Sequence, residues 1–118
     1  SSLIVYGLAN SELIQACIDS NIPYAIEAFV DRTYQDDGSL TPRYLESSTI
    51  HHVEDSIKQA LAIIINKQVT TSTGTIIPLE ADTICIHGDH DGAPKLAKTL
   101  RLELEKHAVS VKPLGVHK

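Results

Sequence analysis

The sequence predicts an α/β fold in which parallel strands alternate with helices, and three observations carry that expectation. Leu3–Tyr6, a helical stretch through Ile18 and then Tyr24–Val30 give strand, helix and strand within about 30 residues, the span of a βαβ unit. A further apolar run, Thr83–His87, is again followed by helical periodicity. Between these passes, Gln68–Leu79 is rich in β-branched residues and broken at Thr73-Gly74, which adds a β-hairpin. The 118 residues, 1–118, are read as one folding unit, because a chain this long has core enough for one domain and little room for a second.

Leu3–Tyr6 has the continuous apolar character of a strand covered on both faces, and Gly7 opens the turn after it. Asn10 or Ser11 is the expected cap of the first helix, since a short polar side chain accepts a bond from an unpaired first-turn N–H. Leu13, Ile14, Cys17 and Ile18 then fall on one helical face. Pro23 stops that helix, and Tyr24–Val30 reads as the second strand. From Asp31 to Ile50 the periodicity is lost, and Asp37-Gly38 and Pro42 mark a long surface excursion of the sort that commonly carries function. Val53, Ile57, Ala60, Leu61 and Ile64 form the next amphipathic helix, and Pro78 places the end of the hairpin near an edge. Thr83–His87 is expected as a third buried strand. Asp91 with Pro94 should cap and open a helix bearing Leu96, Leu100 and Leu104, and Val109–Val111 should form a closing strand.

Composition narrows the function. The net charge of -5 provides no basic field for a phosphate backbone or an anionic membrane, so nucleic acid is not an expected partner. Nowhere does an apolar run approach the roughly 18 residues of a membrane span. Cys17 and Cys85 are far apart and match no zinc or disulfide spacing, which fits a reducing cytoplasm. With no methionine and a strand beginning at Leu3, the chain reads as a portion of something longer.

Two strand ends carry the chemistry. In parallel α/β proteins the carboxyl ends of strands form the active face, where the strand fixes the side chains and the loops beyond shape a pocket. Ile84-Cys85-Ile86-His87-Gly88-Asp89 ends an apolar strand in a histidine and an aspartate around a glycine. Glu27-Ala28-Phe29-Val30-Asp31-Arg32 puts a carboxylate inside a strand and an Asp-Arg pair just past it, with Glu27, Phe29 and Asp31 on one face by alternation. Arg32 or Arg43 is shaped to hold a substrate carboxylate. Plainer roles stand beside these: His87 as a hydrogen-bonding strand end, Asp89 as a turn cap, and Asp31-Arg32 as a structural ion pair. His51-His52 are read as loop or helix-start residues, because adjacent side chains diverge on regular structure.

The stretch Glu27-Ala28-Phe29-Val30-Asp31-Arg32-Thr33-Tyr34, followed by Asp37-Gly38-Ser39-Leu40-Thr41-Pro42-Arg43, resembles the E-x-F-A-D-R-x-Y and D-G-x-L-x-P-R patterns of the LamB/YcsF family. Ile84–Asp89 is similar to that family's I-C-V-H-G-D motif. The resemblance runs from about Leu3 to Val109, the carboxy-terminal half of a family member, and lacks the N-C-D-x-G-E segment of the other half. It implies part of a distorted, deacetylase-like β/α barrel. It also implies component A of an ATP-dependent 5-oxoprolinase, which works with B and C subunits to open 5-oxoproline to glutamate. On that resemblance Asp89, His87 and Glu27 are the candidate catalytic residues, and Asp31, Arg32 and Arg43 the substrate-binding ones. No metal ligands are assigned, although the deacetylase relationship admits a divalent cation. The alternatives are a metal-dependent hydrolase of a carbohydrate amide and a non-catalytic docking component. Half a barrel would leave strand edges open, so the chain is expected to associate with itself or with the missing half.

Overall fold

The computed structural model describes residues 3–88 and 91–114. Its larger sheet holds three parallel strands, β1 (Val5–Leu8), β2 (Tyr24–Phe29) and β5 (Thr83–Cys85), in the order β1-β2-β5. Helix α1 (Glu12–Asp19) connects the first pair, and α2 (Val53–Asn66) lies in the longer connection from β2 to β5. The antiparallel hairpin β3 (Gln68–Thr70) and β4 (Ile76–Pro78) follows α2, and α3 (Ala93–Lys106) follows β5. This is the α/β alternation expected, with the hairpin where the β-branched run placed it.

Local chemistry accounts for the element ends. The Ser11 hydroxyl accepts from the Ile14 N–H at 3.3 Å and caps α1, while Asn10 takes a left-handed φ of 63° ahead of it. The hairpin turns through Gly74, whose φ of +88° disfavours any side chain. At the start of α3 the cap position is Gly92 and no side chain bonds there, so Asp91 does not cap it; Pro94 sits in the first turn as anticipated.

Register fixes which residues share a face. Gly7 pairs with Ile26, and Ala28 with Ile84, so these side chains lie on one side of the sheet. That side meets the helices: a Cβ on Gly7 would come within 2.9 Å of the Ile14 side chain. Ala28 joins Ile63 of α2 with Val69 and Leu79 of the hairpin in one core cluster, against which Ile26 and Ile84 pack. A second cluster gathers Val30 with Ile57 and Ala60 of α2 and Leu96, Leu100 and Leu104 of α3. Burial of these two clusters supplies the main apolar driving force. Glu27 pairs with Thr83, and Phe29 with Cys85, on the opposite side of the sheet.

Two further expectations are corrected, and the strands expected to be buried are only partly so, with Tyr6 48% exposed and β5 half-buried along its length. Val109–Val111 forms no strand: the Val109 N–H donates to the Leu104 carbonyl at 2.9 Å, closing the end of α3 after Ala108 turns left-handed at φ 61°. Its side chain packs on the second cluster instead of extending the sheet. The Asp31–Ile50 connection is also no loose surface excursion. It doubles back on itself, with Thr33 N–H bonding to Ser48 O, Thr41 N–H to Thr33 O and Ile50 N–H to Asp31 O, each at 3.0 Å. Arg32, Tyr34, Thr41 and Ser48 are buried within it. Among the described residues no helix is long and apolar enough to cross a membrane.

Candidate functional site

Phe29 and Cys85 are partners in the β2–β5 register, so two residues further along each strand Asp31 and His87 emerge side by side. The His87 backbone N–H donates to Asp31 Oδ2 at 2.9 Å, and His87 Nδ1 lies 3.0 Å from both carboxylate oxygens. A carboxylate only accepts, so Nδ1 carries the proton. On the other side of the ring, Arg43 Nη2 approaches His87 Nε2 at 3.4 Å. A guanidinium only donates, so Nε2 presents its lone pair. The Phe29 ring stands edge-on to the imidazole, with centroids 4.9 Å apart. Only 5% of the Asp31 side chain but 26% of His87 is exposed, so the imidazole is the accessible member of the pair and the carboxylate its buried anchor.

Arg32 does different work. It is 6% exposed, and its Nε and Nη2 donate to the carbonyls of Ser48 at 3.2 Å and Thr41 at 2.7 Å. Burial first, and then the neighbouring Arg43, pull its pKa below the ordinary arginine value, while Asp31 and Tyr34 oppose that shift. Its donors hold the connection that presents Arg43, the more exposed cation. Gln59 of α2 adds a second clamp through bonds from Nε2 to Phe29 O at 2.9 Å and Arg32 O at 2.8 Å. The Tyr34 hydroxyl accepts from the Phe29 N–H at 2.9 Å, and burial is the largest cause of that phenol's raised pKa.

A cavity of about 390 Å³ opens beside the Asp31–His87 pair, within the common range for small-ligand sites, about 300–1,000 Å³. Arg43, His51, His52 and Ser56 line it, with Gly92 and Leu96 at the start of α3. Sequence spacing alone does not mark the two histidines as wall residues. The bond from Ile50 N–H to Asp31 O carries the following residues alongside the strand end, a long-range contact with no local signature. Glu27 is absent from the cavity wall; it lies lower on the sheet face that also carries Cys85. There, burial is the largest cause raising the Cys85 thiol pKa, followed by the charges of Glu27 and Asp31. Asp89 lies outside the described residues. Among the described residues no three His, Cys, Asp or Glu side chains are grouped to hold a metal ion.

Parallel strands whose carboxyl ends bring an aspartate and a histidine, joined by an arginine from the connection after β2, to one small cavity define an α/β protein with a polar site at the strand ends. The LamB/YcsF family model matches residues 1–118, and the chain belongs to that family. It is 41% identical over 113 residues to the A component of 5-oxoprolinase from Geobacillus thermodenitrificans, covering 96% of this chain and 44% of that protein. With the corresponding A component from Tolumonas auensis the identity is 42% over 114 residues, or 97% of this chain and 45% of that protein. The chain thus spans less than half the length of these relatives. Among solved structures, the lactam utilization protein from Thermus thermophilus superposes with a TM-score of 0.86 at 28% identity, over 96% of this chain and 44% of that one.

Proposed function

We propose that this chain is the carboxy-terminal half of a 5-oxoprolinase component A, one unit of a larger deacetylase-like β/α barrel, and that its strand-end cavity receives 5-oxoproline. The Asp31–His87–Arg43 arrangement carries this reading. Asp31 fixes the tautomer and orientation of His87, as buried carboxylates do for catalytic imidazoles. With Arg43 drawn from Nε2 onto the substrate carboxylate, the freed Nε2 lone pair accepts a proton from attacking water. Opening the ring joins the water oxygen to the lactam carbonyl carbon, breaks the C–N bond and leaves the nitrogen protonated.

Transfer of the ATP γ-phosphoryl group to the lactam carbonyl oxygen, with ADP leaving, would activate the ring carbon toward water, and hydrolysis would release the phosphate once the C–N bond has broken. The cavity wall offers one guanidinium among the described residues, enough for a small carboxylate, so nucleotide handling is assigned to the assembly with the B and C subunits. Both cysteines are free, in keeping with a cytoplasmic setting. Arg32 belongs to the frame of the site in this reading, and Glu27 to the sheet face away from the helices.

The test is glutamate formation from 5-oxoproline and ATP by the full-length polypeptide with its B and C partners. Product that requires all three components supports the reading; B and C working equally well without this polypeptide would overturn it.

A further inference from the structure

Ser56 is 2% exposed, yet it lines the cavity from the first turn of α2. Its backbone N–H is taken up by the His52 carbonyl at 3.1 Å, but its hydroxyl bonds to no described residue. Among the described residues, side-chain nitrogens and oxygens sealed from solvent all have partners. The unpartnered Ser56 hydroxyl is therefore not sealed; on a residue this buried it opens on the cavity, where it can bond whatever fills it. The remaining polar groups give the cavity a direction. Arg43 is exposed, the Asp31–His87 pair is partly open through its imidazole, and Ser56 is buried, so a ligand enters past Arg43 and His87 toward Ser56.

We propose that Ser56 is a substrate-positioning and specificity-determining residue that donates its hydroxyl hydrogen to the ring carbonyl oxygen of the lactam. The inference rests on the reading of this cavity as the 5-oxoproline site. A carboxylate held by Arg43 at the mouth directs the ring inward, where the carbonyl meets the Ser56 hydroxyl. That bond separates a lactam from a saturated ring acid of the same size, because proline has the carboxylate and the ring but no carbonyl. A site built around such a bond discriminates more strongly than apolar fit alone allows.

The experiment is calorimetric titration of the full-length polypeptide and its Ser56→Ala variant with 5-oxoproline and, separately, with proline, alongside thermal unfolding of both. The expected result is 5-oxoproline affinity weakened on the order of tenfold in the variant, with proline affinity and Tm unchanged. Equal 5-oxoproline affinity in the two proteins overturns the role of Ser56 and leaves the lactam-site reading standing. A variant that unfolds at distinctly lower temperature while binding both ligands as the parent does shows a structural hydroxyl and also overturns it. A parent that binds 5-oxoproline neither alone nor with B and C present overturns the reading and this inference together.

Discussion

His87 Nδ1 sits 3.0 Å from both carboxylate oxygens of Asp31, and the same carboxylate accepts the His87 backbone N–H at 2.9 Å. One buried side chain thus sets both the position of the β5 end and the tautomer of the imidazole on it. Replacing Asp31 with Asn keeps the size but allows the amide to donate to Nδ1, which favours the opposite tautomer and turns the Nε2 lone pair into an N–H. In the reconstituted enzyme, Asp31→Asn is expected to lower kcat roughly 10²–10⁴-fold with a smaller change in KM. A kcat within twofold of the parent's would remove Asp31 from the mechanism.

Arg32 and Arg43 should separate cleanly. Arg32→Ala leaves the Thr41 carbonyl without its guanidinium donor and removes one of the two donors to Ser48 O. Denaturant unfolding should show a loss of about 2–4 kcal/mol. Arg43→Ala should leave unfolding nearly unchanged and raise KM for 5-oxoproline. The reverse pattern would mean that the two guanidinium roles have been assigned the wrong way round.

Asp36 ties the long connection to the hairpin by accepting from Thr71 Oγ1 at 2.5 Å and Thr73 Oγ1 at 2.7 Å. These two bonds, Thr71 first, hold its pKa below the ordinary aspartate value. A depressed carboxylate stabilises the fold above its unfolded pKa and loses that contribution as pH falls through the folded value. The parent should therefore exceed Asp36→Asn in urea midpoint at neutral pH, with the gap closing in acid. A gap that widened as pH fell would contradict the assignment.

Cys85 shares with Glu27 the sheet face away from the helices, and the Glu27 charge adds to burial in raising the thiol pKa. Glu27→Gln should increase the thiolate fraction and speed alkylation of Cys85 at a fixed, mildly alkaline pH. Mass spectrometry of the modified cysteine measures that rate, and no acceleration would place the two side chains further apart than the register implies.

Much of this arrangement is legible in the sequence because it depends on local order. Apolar runs ending in Asp31 and His87 announce strand ends, and the intervening helical periodicities make the strands parallel. The pairing of those two residues is not legible, since it follows from the Phe29–Cys85 register across a connection that includes α2 and the hairpin. Nor does sequence separate Arg32 from Arg43, because the difference lies in which guanidinium the folded-back loop buries. His51, His52 and Ser56 escape for the same reason: their segment reaches the cavity through the Ile50–Asp31 backbone bond. Val109–Val111 misleads because a β-branched residue such as Val109 packs as well beyond a helix end as on a strand, while Val111 stays exposed.

The most direct test of the site is 5-oxoproline-dependent phosphate release from ATP by the B and C subunits with the full-length polypeptide carrying His87→Asn. Asparagine can still donate to Asp31 but has no counterpart to the Nε2 lone pair, so the fold should persist while the base is lost. Phosphate release reduced at least about 100-fold, with unchanged circular dichroism and Tm, is the predicted result. Release at the parent rate from a folded His87→Asn protein would contradict the assignment of His87 as the catalytic base.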